Sequence, residues 1–265
     1  MRFKLSDYQT IKVETKLRIG RIMMSRPEVR NAFDERMIPE IHQAIDSLSA
    51  DPDVRVIVVT GEGTAFSAGA DIDWMRRMGQ LGFEENYQDA LKLAHMLDAL
   101  SMCPKPTVAR VNGPAIGGGT GLVAACDVAI ADPKAFFSFS EVKIGLVPGC
   151  IGPYVIRKVG QGRARELFIT GRRIYADEAE RYGLVNLVAG EGKLDEEVDG
   201  LLKQLLSSGP EAMHAAKRLV RDVPGQTREE YIQYTARMIA ELRTSAEGQE
   251  GTKAFLEKRK PGWNL

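Results

Sequence analysis

Phe66-Ser67-Ala68-Gly69-Ala70-Asp71 and Asn112-Gly113-Pro114-Ala115-Ile116-Gly117-Gly118-Gly119-Thr120-Gly121 are the two stretches that decide how this chain reads. The first follows the apolar run Val54-Arg55-Val56-Ile57-Val58-Val59, the second Pro106-Thr107-Val108-Ala109-Arg110-Val111. Each leads into a helical pattern. Strand, small-residue turn and helix, given twice, predict a layered α/β core. Small residues at such junctions leave backbone N–H groups unshielded, so a ligand oxygen can come close to them. Two such donors converging on one point would stabilise a negative oxygen developing on an acyl group.

The flanking pattern is consistent with that core. Residues 9–25 read as a strand pair around Gly20-Arg21, and Asp34 is placed to cap a helix over about 35–50 with Ile38, Ile41, Ile45 and Leu48 on one face. Further helices are predicted near 71–79, 84–101 and 118–125, with a break at Gly79–Gly82. Two short strands follow at 127–131 and 135–140. After Gly190-Glu191-Gly192 the pattern is helical only, with Leu194, Val198, Leu201, Leu202 and Leu205 on one stripe. Thr227…Glu230 and Thr244…Glu247 match capping boxes. The chain therefore reads as a core over 1–192 and three or four helices over 193–265, a small piece that must dock on the core or on another subunit.

Bulk properties exclude several classes. Lys+Arg and Asp+Glu both number 36, so no global charge draws nucleic acid or anionic membrane. No apolar run approaches the roughly 20 residues of a membrane span. Met1-Arg2-Phe3-Lys4-Leu5-Ser6-Asp7 lacks a leader's apolar core, and Cys103, Cys126 and Cys150 are too few and too scattered for a disulfide framework, so a cytoplasmic location is expected. Gly61-Glu62-Gly63 has Phe66 where a dinucleotide fingerprint needs its third glycine. Gly117-Gly118-Gly119-Thr120-Gly121 lacks the Lys-Ser/Thr pair of a phosphate loop, and no Gly-x-Ser-x-Gly elbow occurs. His42, His95 and His214 share no spacing, so no metal site is expected.

Taken with Ser140-Glu141-Val142-Lys143-Ile144-Gly145-Leu146-Val147-Pro148-Gly149, Leu167-Phe168-Ile169-Thr170-Gly171 and Ala254-Phe255-Leu256-Glu257-Lys258-Arg259, the two turns make the chain resemble the enoyl-CoA hydratase/isomerase (crotonase) family over nearly its whole length. The resemblance implies a crotonase-like spiral of strand–strand–helix units with a C-terminal helical trimerisation region, and a homotrimer or dimer of trimers. It implies acyl-CoA thioester substrates and no cofactor beyond the coenzyme A of the substrate. It places the oxyanion hole on the N–H groups of Ala70 and Gly118, the acid–base carboxylate on Glu141, and a water-holding N–H on Gly149. For coenzyme A it implies contacts at Val29, Arg30, Ala68 and Gly117, with Phe255 and Lys258 approaching from the C-terminal helix. Family hydratases commonly carry a second glutamate, and Gly121 stands at that position here.

Phe136, Phe137 and Phe139 are expected to make the surroundings of Glu141 partly apolar, Asp71 to cap the helix after the first turn, Asp73 and Glu62 to face solvent, and Cys150 to be a small pocket-lining residue. The leading reading is a 2-enoyl-CoA hydratase; the Ser140–Leu146 context with Gly121 resembles bacterial family members linked to branched or carboxylated, methylglutaconyl-type substrates, which is what that resemblance implies here. A 3-enoyl to 2-enoyl isomerase and a non-catalytic acyl-CoA-binding protein are the alternatives.

Overall fold

The structure, a computed structural model, describes residues 8–264. Met1–Asp7, read above for a leader, lies outside them. The strands β1 (Ile11–Lys16) and β2 (Ile19–Met24) form an antiparallel hairpin. A single 3-10 turn at Pro27–Val29 leads to α1 (Met37–Ala50). Then come β3 (Val56–Gly61), α2 (Ile72–Met78), α3 (Phe83–Met102), β4 (Thr107–Val111), β5 (Ala115–Ile116), α4 (Gly118–Ala125), β6 (Val128–Ala131) and β7 (Phe136–Ser138). After a 3-10 helix at Ser140–Ile144 follow α5 (Gly152–Thr170), β8 (Arg173–Tyr175), α6 (Ala176–Arg181) and β9 (Leu187–Val188).

Six strands make the main sheet in the order β1-β2-β3-β4-β6-β9, parallel from β2 onward. Every residue of β3 is buried, which explains its unbroken apolar sequence: a central parallel strand is covered on both faces. A second, shorter ladder runs alongside. Phe33 pairs with Ala70, Ser67 with Ala115, β5 with β7, and β7 with β8. Successive turns of chain thus add one strand to the main sheet, one short pairing to the second ladder, and a helix. This is the strand–strand–helix spiral expected from the sequence.

The helix α1 buries Ile38, Ile41, Ile45 and Leu48 as its periodicity predicts, but it begins at Met37. Asp34 lies before it and still accepts the N–H groups of Arg36 and Met37 through Oδ1. The helix α5 was not legible, because Gly160 takes φ 76°, ψ 161° in its middle and Gly152-Pro153 opens it. The strands β8 and β9 have three and two residues, too short for an alternation to register.

The chain divides into two compact units: the residues up to Cys103 with Thr107–Val198, and Pro104–Pro106 with the chain from Asp199 onward. The division falls within α7 (Leu194–Ser207), the first of the four C-terminal helices. The others are α8 (Pro210–Asp222), α9 (Arg228–Thr244) and α10 (Ala246–Leu256). Thr227 and Glu230 form the reciprocal capping box read from the sequence. The Thr244…Glu247 pattern does not. Ser245 caps α10 instead, and the Glu247 carboxylate turns to the start of α8, accepting the Glu211 and Ala212 N–H groups at 2.9 Å each. A carboxylate at a helix N-terminus is stabilised by the unsatisfied amides there, which outcompetes the local box.

Candidate active site

The two glycine turns pack directly on each other. Pro114 O accepts the N–H groups of Phe66 and Ser67 at 3.0 and 3.1 Å, and Ser67 O accepts that of Ile116 at 2.9 Å. Gly69 has φ +88° and lies so close to Ile116 that a Cβ would sit 2.9 Å from its carbonyl oxygen. A Cβ on Gly119 would stand 2.8 Å from that of Ser67. Glycine at these positions is a requirement of the contact between the turns.

Ala70 and Gly118 line one cavity of about 620 Å³, together with Glu141. Among the described residues, neither the Ala70 nor the Gly118 N–H donates a hydrogen bond. Gly118 opens α4, where first-turn amides have no partner within the helix and the helix field favours negative charge.

Arg26 ties the first turn down. Its guanidinium donates to Ala32 O at 2.8 Å and to Asp71 Oδ2 at 2.9 Å, and sits 3.2 Å from Asp34. Asp71 caps α2 as predicted, accepting the Asp73 and Trp74 N–H groups. Burial works against ionised Asp71, but the Trp74 N–H and Arg26 hold its carboxyl below the usual range. Phe33 completes the clamp: its N–H donates to Gly69 O and its carbonyl accepts from Asp71, either side of Ala70.

Glu141 sits in the 3-10 helix Ser140–Ile144, closed by Gly145 in the left-handed region. Its Oε2 is buried with no hydrogen-bond partner, as is the Trp74 indole N–H among the cavity residues. Burial pushes the Glu141 carboxyl above the ordinary glutamate value, and a bond from its own backbone N–H only partly offsets this. Gly117, at φ +51°, packs against the carboxylate; a Cβ there would lie 3.1 Å from Oε1.

The apolar surroundings come from residues other than those expected. Phe137 and Phe139 are buried in the core, with Phe139 edge-on to Phe168, while Phe136 meets Tyr175 edge-on and lies under Arg173. Ile144, Leu146, Val147 and Ile151 line the cavity instead, with Met75 and Leu93 from α2 and α3. The side chain of Ile151 occupies the space beside Gly121: a Cβ on Gly121 would stand 2.2 Å from its Cγ2.

Gly149 lines the cavity, but its N–H donates to Val147 O at 2.7 Å, so the amide expected to hold a water is engaged within its own turn. Ala68 and Gly117 also line the cavity; Val29 and Arg30 do not. The Ala68 N–H donates to Arg30 O at 2.9 Å, which leaves the Ala68 carbonyl as the polar group of that residue toward a ligand. Phe255 lies at the end of α10, 82% exposed, and Lys258 follows it at φ +54°. Cys150 is half-buried at the cavity with Sγ 3.5 Å from Ala90 O, and burial pushes its thiol up, as suits a pocket-lining residue. Asp73 is solvent-facing and pairs with Arg76, whereas Glu62 is not free: it pairs with Lys12 at 2.8 Å and accepts the Ser25 hydroxyl. Among the described residues no cluster of His, Cys, Asp or Glu is placed to hold a metal ion.

The sequence reading missed Trp74, Asn86, Asp89 and Ile151, all cavity residues. Three of them lie in α2 and α3, where a cavity-facing side chain has the same periodic position as a core one.

Comparisons with known proteins identify the family. The family model described as enoyl-CoA hydratase/isomerase matches residues 14–265. A Thermus thermophilus relative, provisionally named enoyl-CoA hydratase, is 41% identical over 240 residues, covering 91% of this chain and 95% of its own. The mitochondrial enoyl-CoA hydratase of Pongo abelii is 35% identical, covering 91% and 82%. The crystal structure of an enoyl-CoA hydratase from Shewanella pealeana superposes with a TM-score of 0.95 at 35% identity, covering 98% and 97%.

Proposed function

The chain belongs to the enoyl-CoA hydratase/isomerase family, and from that premise we propose that it is a lyase adding water across the double bond of a 2-enoyl-CoA thioester. The thioester oxygen accepts the Ala70 and Gly118 N–H groups. Glu141 takes a proton from water as the oxygen of that water bonds to the β-carbon. The electron pair of the double bond moves to the thioester, whose enolate oxygen the two amides stabilise, each contributing on the order of 3–4 kcal/mol. Glu141 then returns the proton to the α-carbon. The cycle balances without a cofactor. The observation that carries this reading is one carboxyl with a buried, unpartnered Oε2 sharing a cavity with two uncommitted backbone amides.

One observation favours an isomerase. Ile151 fills the place beside Gly121, and Gly149 does not offer its N–H, so no second carboxylate stands at the Gly121 position to work with Glu141. Moving a double bond from the 3- to the 2-position needs only one such group to carry a proton from the α- to the γ-carbon. Purified protein supplied with crotonyl-CoA, 3-methylglutaconyl-CoA and a 3-enoyl-CoA separates the two by enoyl absorbance. Loss of absorbance is expected with crotonyl-CoA, and a smaller one with the carboxylated 3-methylglutaconyl-CoA. A gain with the 3-enoyl thioester and no hydration would overturn the lyase reading.

For the acyl group the branched alternative is preferred over the carboxylated one, because Met75, Leu93, Leu146, Val147 and Ile151 give the cavity an apolar lining and Asp89 would repel a terminal carboxylate. A trimer is proposed from the family and from the apolar surface of the C-terminal helices, where Val220, Phe255 and Leu256 are 76, 82 and 74% exposed. A cytoplasmic location fits three cysteines that remain thiols.

Arg26 acts as a positioning residue in this scheme, since its ion pairs with Asp34 and Asp71 fix the segment carrying the Ala70 amide. Arg26→Ala is expected to lower kcat on the order of tenfold with a smaller change in KM, and Arg26→Lys to recover part of the loss. A change confined to KM would remove Arg26 from that role.

A further inference from the structure

Asp89 stands on α3 and lines the same cavity as Glu141, Ala70 and Gly118, and the mechanism above makes no use of it. Its side chain is 14% exposed. Among the described residues no hydrogen-bond donor reaches its carboxylate. The nearest cation, Lys92 Nζ, is 3.8 Å away, beyond hydrogen-bond distance, and 57% exposed. Burial, with Glu35 adding to it, pushes the Asp89 carboxyl up against the pull of Lys92. One turn earlier Asn86 lines the cavity too. Its Nδ2 faces the carbonyls of Met78, Leu81 and Gly82 at 3.0, 3.1 and 2.9 Å, so its amide oxygen remains as the group able to accept. Next along the helix, Ala90 O lies 3.5 Å from Cys150 Sγ, which sets this stretch of α3 against the 149–151 segment that follows Glu141. A carboxylate in an apolar lining is costly unless a donor meets it. Among the described residues nothing supplies that donor within hydrogen-bond distance.

We infer that Asp89, with the Asn86 amide oxygen, is a hydrogen-bond-accepting subsite that selects acyl groups carrying a hydroxyl away from the thioester and rejects acyl groups carrying a carboxylate. The inference rests on the cavity being an acyl-CoA site but not on which reaction follows. Hydroxyl donation to a partly buried carboxylate is a charge-assisted bond, and an unpaired carboxylate beside an alkyl group remains unsatisfied.

The test uses saturated thioesters, which bind without reacting. Dissociation constants of butyryl-CoA, 4-hydroxybutyryl-CoA and glutaryl-CoA are measured by titration calorimetry for the wild type, Asp89→Leu and the near-isosteric Asp89→Asn. The wild type is expected to bind 4-hydroxybutyryl-CoA about tenfold tighter than butyryl-CoA, and glutaryl-CoA more weakly than either. Asp89→Leu should abolish the hydroxyl preference and narrow the glutaryl penalty; Asp89→Asn should keep part of the former and lose the latter. Equal affinities for the first two thioesters in the wild type, or the same preference in Asp89→Leu, would overturn the subsite while leaving the acyl-CoA reading intact. Failure of butyryl-CoA itself to bind would overturn both.

Discussion

Turnover in Glu141→Gln is expected to fall at least ~100-fold with acyl-CoA affinity retained. The carboxyl is the sole proton-transfer group in the proposed scheme, and glutamine keeps its shape and polarity but cannot take a proton at neutral pH. A near-normal rate would remove Glu141 from the reaction. The pH profile gives an independent check. Burial raises the Glu141 pKa, and the working form is the carboxylate, so kcat/KM should rise with pH through an apparent pKa above that of an ordinary glutamate. The same shift predicts a stability effect of definite sign. A carboxyl whose folded pKa exceeds its unfolded one binds more protons in the native state. Its contribution is fully present below the unfolded pKa and is lost as pH rises through the folded value. At neutral pH the ionised Glu141 therefore costs stability, and Glu141→Gln should melt at the same temperature as the wild type or higher. A variant that loses activity and stability together would indicate a packing role.

Gly121→Glu is expected to destabilise the protein by more than ~3 kcal/mol, because it combines overpacking with a buried charge. Gly121 is buried within α4, and even a Cβ there would meet Ile151 Cγ2 at 2.2 Å and Ile151 Cβ at 2.8 Å. Ile151 is itself 2% exposed. Ile151→Ala alone should cost about 2–5 kcal/mol through the cavity it leaves. Together the two substitutions should cost less than their sum by at least ~1 kcal/mol, since the second vacates the volume the first requires. Urea denaturation of the four proteins closes this cycle. Additive costs would show that Ile151 does not hold the place beside Gly121. The coupling bears on function: it makes the absence of a carboxylate at position 121 a packed feature of the core, so one is not gained there by a single substitution.

Much of the spiral core was written locally. The apolar runs of β3 and β4, the i, i+3, i+4 stripe of α1, Asp71 before α2 and the Thr227–Glu230 box each depend on neighbours within one element, and each formed as read. The glycine turns were legible as close-approach points because only glycine combines a positive φ with the absence of a Cβ, as Gly69 and Gly117 do. Glu141 was legible through its motif. The composition of the cavity lining was not. Phe136, Phe137 and Phe139 lie within five residues of Glu141, yet a strand alternates its side chains between faces, and the core claims Phe137 while Phe139 packs on Phe168. Glu247 forsook its local cap for the amides of a helix 35 residues earlier, and Gly149 spent its N–H on a carbonyl two residues back.

Strand, turn and helix order and the small residues at the two junctions were fixed by the chain itself, since backbone sterics and periodic burial act over a few residues. The encounter of Ala70 with Gly118, the filling of the space at Gly121 by Ile151 and the placement of Asp89 in the cavity were decided by tertiary packing. Those contacts join residues 30 or more positions apart, and which of many apolar or acidic side chains fills a given volume depends on shape complementarity that exists only once the layers have met.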